Sequence, residues 1–203
     1  LTVNGDVTLS SNTDGADTRL TMTGGGALAV NGANIRVGNN TGGTNLSSKA
    51  TLNLAALGSF TATLSGALTV QASGDNSNAD VASLILSNPA NTLTAASVVV
   101  GGSAAGAANT LQLGGGTNLI KADNVRLGSG NRDSGTISFG ATATGTLTLR
   151  NTAGTGRANI ARGNASTQST GYVQNNVFDT TGHTVDLLIG TLTTAPATRT
   201  GSM

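Results

Sequence analysis

Ser83-Leu84-Ile85-Leu86, a turn, Asn91-Thr92-Leu93-Thr94-Ala95, and then Val98-Val99-Val100-Gly101 form one half of a pattern that the chain writes twice. The second half is Thr110-Leu111-Gln112-Leu113, a turn, Asn118-Leu119-Ile120-Lys121-Ala122, and Val125-Arg126-Leu127-Gly128. Matched positions keep one spacing: 111 minus 84 is 27, and 128 minus 101 is also 27. A fixed period of this size marks stacked repeats, each unable to bury its apolar face alone. Within each half the apolar residues alternate over short runs, as in strands with one buried and one wet face.

The pattern extends outward. Leu1-Thr2-Val3-Asn4-Gly5 matches Leu28-Ala29-Val30-Asn31-Gly32, and Val7 and Leu9 correspond to Ile35 and Val37. Leu1 therefore opens in mid-coil, with a coil's first strand missing. Leu20 and Met22 begin the next coil. Leu52 and Leu54, then Phe60, Ala62 and Leu64, then Leu68 and Val70 form another. A later coil starts at Ile137 and Phe139 and passes through Leu147 and Leu149. Beyond it the register blurs: Ile160, Val173 and Val177 read as inward, and Val185 to Ile189 as a last strand with Leu192 close behind.

Three short strands per coil, with Gly or Asn at the corners, predict an all-β fold: a right-handed parallel β-helix (β-solenoid) of six to seven coils. At about 4.8 Å per coil the rod is roughly 30 Å long. It is one domain over residues 1–203, regular over 1–150 and less so over 151–203, which include the final coils and a tail. Leu52, Leu84, Leu111 and Ile137 are expected to stack in one inward file, and Leu68, Val98 and Val125 in another. Asn91 and Asn118 fall in register as a side-chain ladder at one corner. A β-sandwich also has many short strands, but it does not require constant spacing.

Composition agrees. Apolar residues are 37% and aromatic residues 2% of the 203, so the core must be aliphatic, thin and regular. All nine acidic residues are Asp, and Lys occurs only at Lys49 and Lys121. Helix surfaces favour Glu and Lys, whereas Thr, Ser, Asn and Gly suit strands and turns. A net charge of +1 gives no basic field for nucleic acid. No apolar run approaches the ~18 residues of a spanning helix. The absence of cysteine excludes disulfides and thiolate metal sites and is compatible with secretion.

The motif Asn-x-Leu/Ile-x-Ala-x-x-Val-x-Leu/Val-Gly resembles the β-strand repeats in passenger regions of secreted bacterial proteins. These include autotransporter-like adhesins and Verrucomicrobia-type surface proteins. The similarity is sharpest at Val125 to Phe139, Gly156 to Ile160 and Gly182 to Leu192. The resemblance implies an extracellular or cell-surface β-helix with no enzymatic activity and no catalytic residues.

Chemical motifs are sparse. Asn12-Thr13-Asp14-Gly15 resembles a polygalacturonase motif, but a glycosidase needs a matched acid and base. The companion Asp-Asp, Gly-His-Gly and Arg-x-Lys motifs are absent, and Asn-x-Asp-Gly is ordinary turn chemistry. Arg132 and Asp133, with Asp123 and Arg126, are too sparse for a calcium-dependent lyase site and read as loop ion pairs. His183, the sole histidine, reads as a surface residue, since one histidine without nearby acids rarely forms a metal site or triad. Thr-x-Thr pairs at Thr21/Thr23, Thr61/Thr63, Thr92/Thr94, Thr142/Thr144 and Thr146/Thr148 would suit an ice-binding face only on successive coils. They read as scattered among different strands, with Lys121 replacing Thr94 one coil later. No cofactor, metal or catalytic group is expected.

The expectation is a structural protein: a filament subunit assembling head to tail, or a rod segment of a surface protein. Leu1 and Val3 at one end, and Leu187, Ile189 and Leu192 at the other, are the expected end-to-end contacts. The partner is then a second copy of the chain. A longer protein continuing past these ends is an equal reading. The alternative class is a carbohydrate-binding adhesin or a polysaccharide-lyase-like β-helix. Surface glycans would be its partners, and Tyr172, Phe60, Phe139 and Phe178 its only aromatic platforms.

Overall fold

The structure is a computed structural model that describes residues 1–10, 16–38, 49–71, 81–101, 108–128, 135–141, 144–162 and 176–193. The described elements are all strands, numbered here in chain order. β1 (Thr2–Asn4) and β2 (Val7–Leu9) come first, followed by the winding β3 (Asp17–Thr21), β4 (Ala27–Gly32) and β5 (Ile35–Val37). The next is β6 (Lys49–Asn53), β7 (Ser59–Leu64) and β8 (Ala67–Val70). Two windings follow in which one long strand covers two walls: β9 (Val81–Ile85) with β10 (Ala90–Val100), and β11 (Ala108–Leu113) with β12 (Thr117–Leu127). Then come β13 (Gly135–Phe139), β14 (Thr146–Arg150) and β15 (Ala158–Arg162), and finally β16 (Val177–Asp179), β17 (Thr184–Leu187) and β18 (Ile189–Thr193).

Every pairing is parallel and joins a strand to its counterpart one winding away, so the chain is a parallel β-solenoid. The first wall is β1-β4-β7-β10-β12-β14-β17. The second is β2-β5-β8-β10-β12-β15-β18, and the third is the separate sheet β3-β6-β9-β11-β13-β16. Among the described residues no helix is long and apolar enough to cross a membrane.

Two of the inward files are aliphatic over their buried length. In the third wall, Leu52 pairs with Leu84, Leu84 with Leu111, and Leu111 with Ile137, and all four are buried. The file reaches Leu20 at one end and Phe178 at the other. In the second wall, Leu68 pairs with Val98 and Val98 with Val125. That file runs from Val7 and Ile35 to Ile160 and Leu192. Period-two alternation buries Leu52, Leu84, Leu111, Ile137, Leu68, Val98 and Val125 in the dry interior, where a buried Leu or Val contributes roughly 1.5–3 kcal/mol.

The spacing is constant only in part. Between Leu84 and Leu111 it is 27 residues, but between Leu52 and Leu84 it is 32 (84 minus 52). Three of the five extra residues fall between the second wall and the next third wall, where 16 residues separate Leu68 from Leu84 against 13 from Val98 to Leu111. One falls at each of the other two corners. A longer connection leaves the files in register at little cost, because closing a longer loop adds little entropy cost.

Two kinds of glycine shape the corners. Gly38, Gly101 and Gly128 end second-wall strands with φ of 81°, 127° and 77°, which a side chain would disfavour. Gly114 instead serves close approach: a Cβ there would stand 1.8 Å from the Ser87 carbonyl oxygen in the winding below.

The sequence reading breaks β10 and β12 in two, whereas each runs unbroken across the corner. The alternation slips once there: Ala96 and Ser97 both lie outside the core between buried Ala95 and Val98. The reading of Val177 as inward is overturned. Val177 pairs with outward Thr136 and is 40% exposed, while its neighbour Phe178 pairs with Ile137 and packs on the core. A Val-Phe pair satisfies either phase of a period of two, and only the neighbouring strand selects one. Val173 lies outside the described residues.

Candidate functional site

The open ends of the tube are the strongest candidate. At one end β1, β2 and β3 are edge strands, and at the other β16, β17 and β18 are. Among the described residues no further strand covers the inward files there. Leu1 is 73% exposed and Leu20 45%, and Val185, paired with buried Leu147, is 38% exposed. Val3, Val7 and Leu9 at the first end, and Phe178, Leu187 and Ile189 at the second, are half-buried against the core. Of the residues expected at the ends, Leu1 and Val3 lie beside β4 at the first end, and Leu187 and Ile189 lie on β17 and β18 at the second. Leu192 is on an end strand through its pairing with Ile160. Sequence reasoning missed Leu20, Phe178 and Val185 as end residues. Only the strand order shows that β3 is the last described strand of its sheet, although Leu20 lies beyond the first two strands in sequence.

Polar side chains staple successive windings at the corner between the first and second walls. Asp6 Oδ1 accepts from Ala33 N at 2.9 Å and Asn34 N at 2.8 Å. Asn34 Nδ2 donates to Asp6 Oδ2, and Asn34 Oδ1 accepts from Ala67 N in the winding beyond. Higher up, Asp123 Oδ1 accepts from both the amide and the hydroxyl of Thr152. Donation from Asn34 holds the Asp6 carboxyl below the usual range, with its side-chain bond the largest cause, and Arg36 adds to it. The Thr152 amide, then its hydroxyl, does the same for Asp123.

Among the described residues no group of three or more Asp, Glu, His or Cys is placed to hold a metal ion. Asp123 is engaged by Thr152, while Arg126 points outward and is exposed. Asn12 to Gly15, Arg132, Asp133, Thr142 and Tyr172 lie outside the described residues. His183 is not a free surface residue. It is half-buried, with its ring stacked on Phe139 at a centroid distance of 3.8 Å and Nδ1 at 3.3 Å from the Gly145 carbonyl.

Two of the Thr-x-Thr pairs are not scattered. Thr61 pairs with Thr92 and Thr63 with Thr94 on adjoining strands of the first wall. The array is two strands deep: Ala29 and Asn31 lie below it, and Leu119 and Lys121 above. Phe60 and Phe139 are buried, as expected from the inward files. No protein-family model, curated protein or solved structure matches this chain.

Proposed function

We propose that this chain is an extracellular structural element: a rod whose windings continue axially through head-to-tail contact with a second copy. The observation that carries this reading is that, among the described residues, inward files emerge at both ends: the third-wall file at exposed Leu20 and the first-wall file at exposed Val185. An uncovered file and an unpaired strand edge both favour addition of another winding. The first-wall file Val3, Val30, Ala62, Leu93, Ile120, Leu149 and Leu187 begins and ends on apolar side chains, so a copy stacked on β17 continues it with Val3. Such a contact is heterologous and does not close, so it makes fibres rather than dimers. The extracellular placement is supported by the resemblance to secreted β-strand repeats, and a cysteine-free chain is compatible with it.

Light scattering against concentration, with negative-stain imaging, tests the proposal. The expected result is growth into rods of one width and variable length. Leu187→Asp, which puts a charge on the contact face, should suppress that growth. A monomer-sized species at every concentration would overturn the proposal.

A carbohydrate-binding adhesin needs aromatic platforms or a groove lined by convergent polar groups. Phe60 and Phe139 are core residues and Phe178 packs on the core, which favours the structural reading.

A further inference from the structure

The outer face of the first wall is free of charge across its middle. Outward residues alternate with the buried file, so β7 presents Ser59, Thr61 and Thr63, and β10 presents Ala90, Thr92 and Thr94. Thr61 stands beside Thr92 and Thr63 beside Thr94, one winding apart. β4 continues the same columns with Ala27, Ala29 and Asn31. All of these side chains are short, and none is charged. Charge enters the column at Lys121 of β12, beside Thr94, and follows at Arg150 of β14. The neutral belt extends around the tube: among the described residues from Ala50 to Ile120 none is charged on any wall. In the sequence only Asp75 and Asp80 interrupt that span, and both lie outside the described residues.

We infer that this face binds an ordered water lattice, the surface of ice. The inference does not rest on the stacking proposal, because the face lies on the side of the tube. A lattice of water carries no net charge and offers hydrogen-bond donors and acceptors at fixed intervals. A hydroxyl both donates and accepts, so threonine meets either. The β-branch restricts χ1, so methyl and hydroxyl are ordered before contact and little rotamer freedom is lost on binding. The wall sets the intervals: about 4.8 Å between windings and about 6.6 Å between alternate residues of one strand. Both are close to oxygen repeats of hexagonal ice. A long cationic side chain stands above the hydroxyls and is costly to dehydrate, so the array ends where Lys121 begins.

The third wall also carries a hydroxyl column, Thr51, Ser83, Thr110 and Thr136. The column beside it is Asn53, Ile85, Gln112 and Ser138, whose side chains differ in length. That wall therefore offers a single hydroxyl column and not a level array. A crystalline polysaccharide is a second repeating surface of hydroxyls. Sites for such ligands are lined by aromatic side chains, and the first-wall face has none.

The test is partition of the full chain into a slowly growing ice hemisphere, beside a bystander protein of similar size. Enrichment in ice over the bystander is expected. Thr92→Lys and, separately, Thr61→Lys place a charge inside the array and should bring partition down to the bystander's level. Thr110→Lys, outward on the third wall, should leave partition unchanged. Thermal melts identify the folded variants, and either first-wall variant decides the matter if the other fails to fold. Exclusion of the unaltered chain from ice overturns the inference. Undiminished partition of a folded first-wall variant does the same, as does an equal loss in Thr110→Lys. Retention on crystalline chitin without enrichment in ice also overturns it and gives the face to a polysaccharide. Rods that form yet are excluded from ice sink this inference alone, and monomers that enter ice sink only the filament proposal.

Discussion

Asn91 and Asn118 lie one above the other in the inward wall of the tube, joined by a hydrogen bond of 2.9 Å from Asn91 Nδ2 to Asn118 Oδ1. Both are buried in a file that otherwise holds Phe60 below and Leu147 above. They are tolerated there because each binds the turn four residues before it. Asn91 Nδ2 donates to Ser87 O, while Asn118 accepts from Gly114 N and donates to Gly114 O.

The two are not equivalent. Asn118 also donates to Thr146 O in the next winding, whereas Asn91 Oδ1 has no partner. Asn118→Ala is expected to cost about 2–4 kcal/mol, because it strands several buried polar groups at roughly 1–3 kcal/mol each. Asn91→Ala should cost less. Urea denaturation of both variants gives the comparison, and equal losses would contradict it.

Position along the tube should grade the cost of truncating the Leu file. Leu111→Ala removes a fully buried side chain between Leu84 and Ile137 and is expected to cost about 2–5 kcal/mol. Leu20→Ala, at the open end, should cost under about 1 kcal/mol in the monomer. The same denaturation measurement reports both. A large loss at Leu20 would mean that the end is covered in solution.

Gly114→Ala forces a Cβ to within 1.8 Å of the Ser87 carbonyl oxygen, so two windings must part locally. The expected loss is about 1–3 kcal/mol, as for other overpacking. Gly26→Ala meets nothing within 4 Å and is the control, expected to change stability by less than ~0.5 kcal/mol. Thermal melts of the two variants separate close approach from a general effect of losing glycine.

Acid should loosen the corner staples. The Asp6 and Asp123 carboxyls are depressed in the folded chain by donors from the next winding. Such groups stabilise the fold at pH values above the unfolded carboxyl value of about 3.9. That contribution disappears as pH falls through the lower folded values. Stability is thus expected to decline below about pH 4, and Asp123→Asn, which keeps an acceptor for Thr152, should decline less steeply. Urea midpoints measured across that range test the sign. Identical slopes for the two proteins would remove Asp123 from the account.

The repeat from Ser83 to Gly128 determined the solenoid by itself. Alternation chooses the buried face, and the repeated spacing places Leu111 over Leu84, information local enough to be written in one stretch of chain. The Asn91–Asn118 ladder and the strand order of the early windings follow from the same rule. The tertiary structure alone decided where the pattern is weak or where neighbours are distant in sequence. It chose Phe178 over Val177, brought Thr61 and Thr63 beside Thr92 and Thr94, and stacked His183 on Phe139. The physical reason is common to all three. A winding's register is set by hydrogen bonds to the strand beside it, and in a tube that strand lies a whole turn of the chain away.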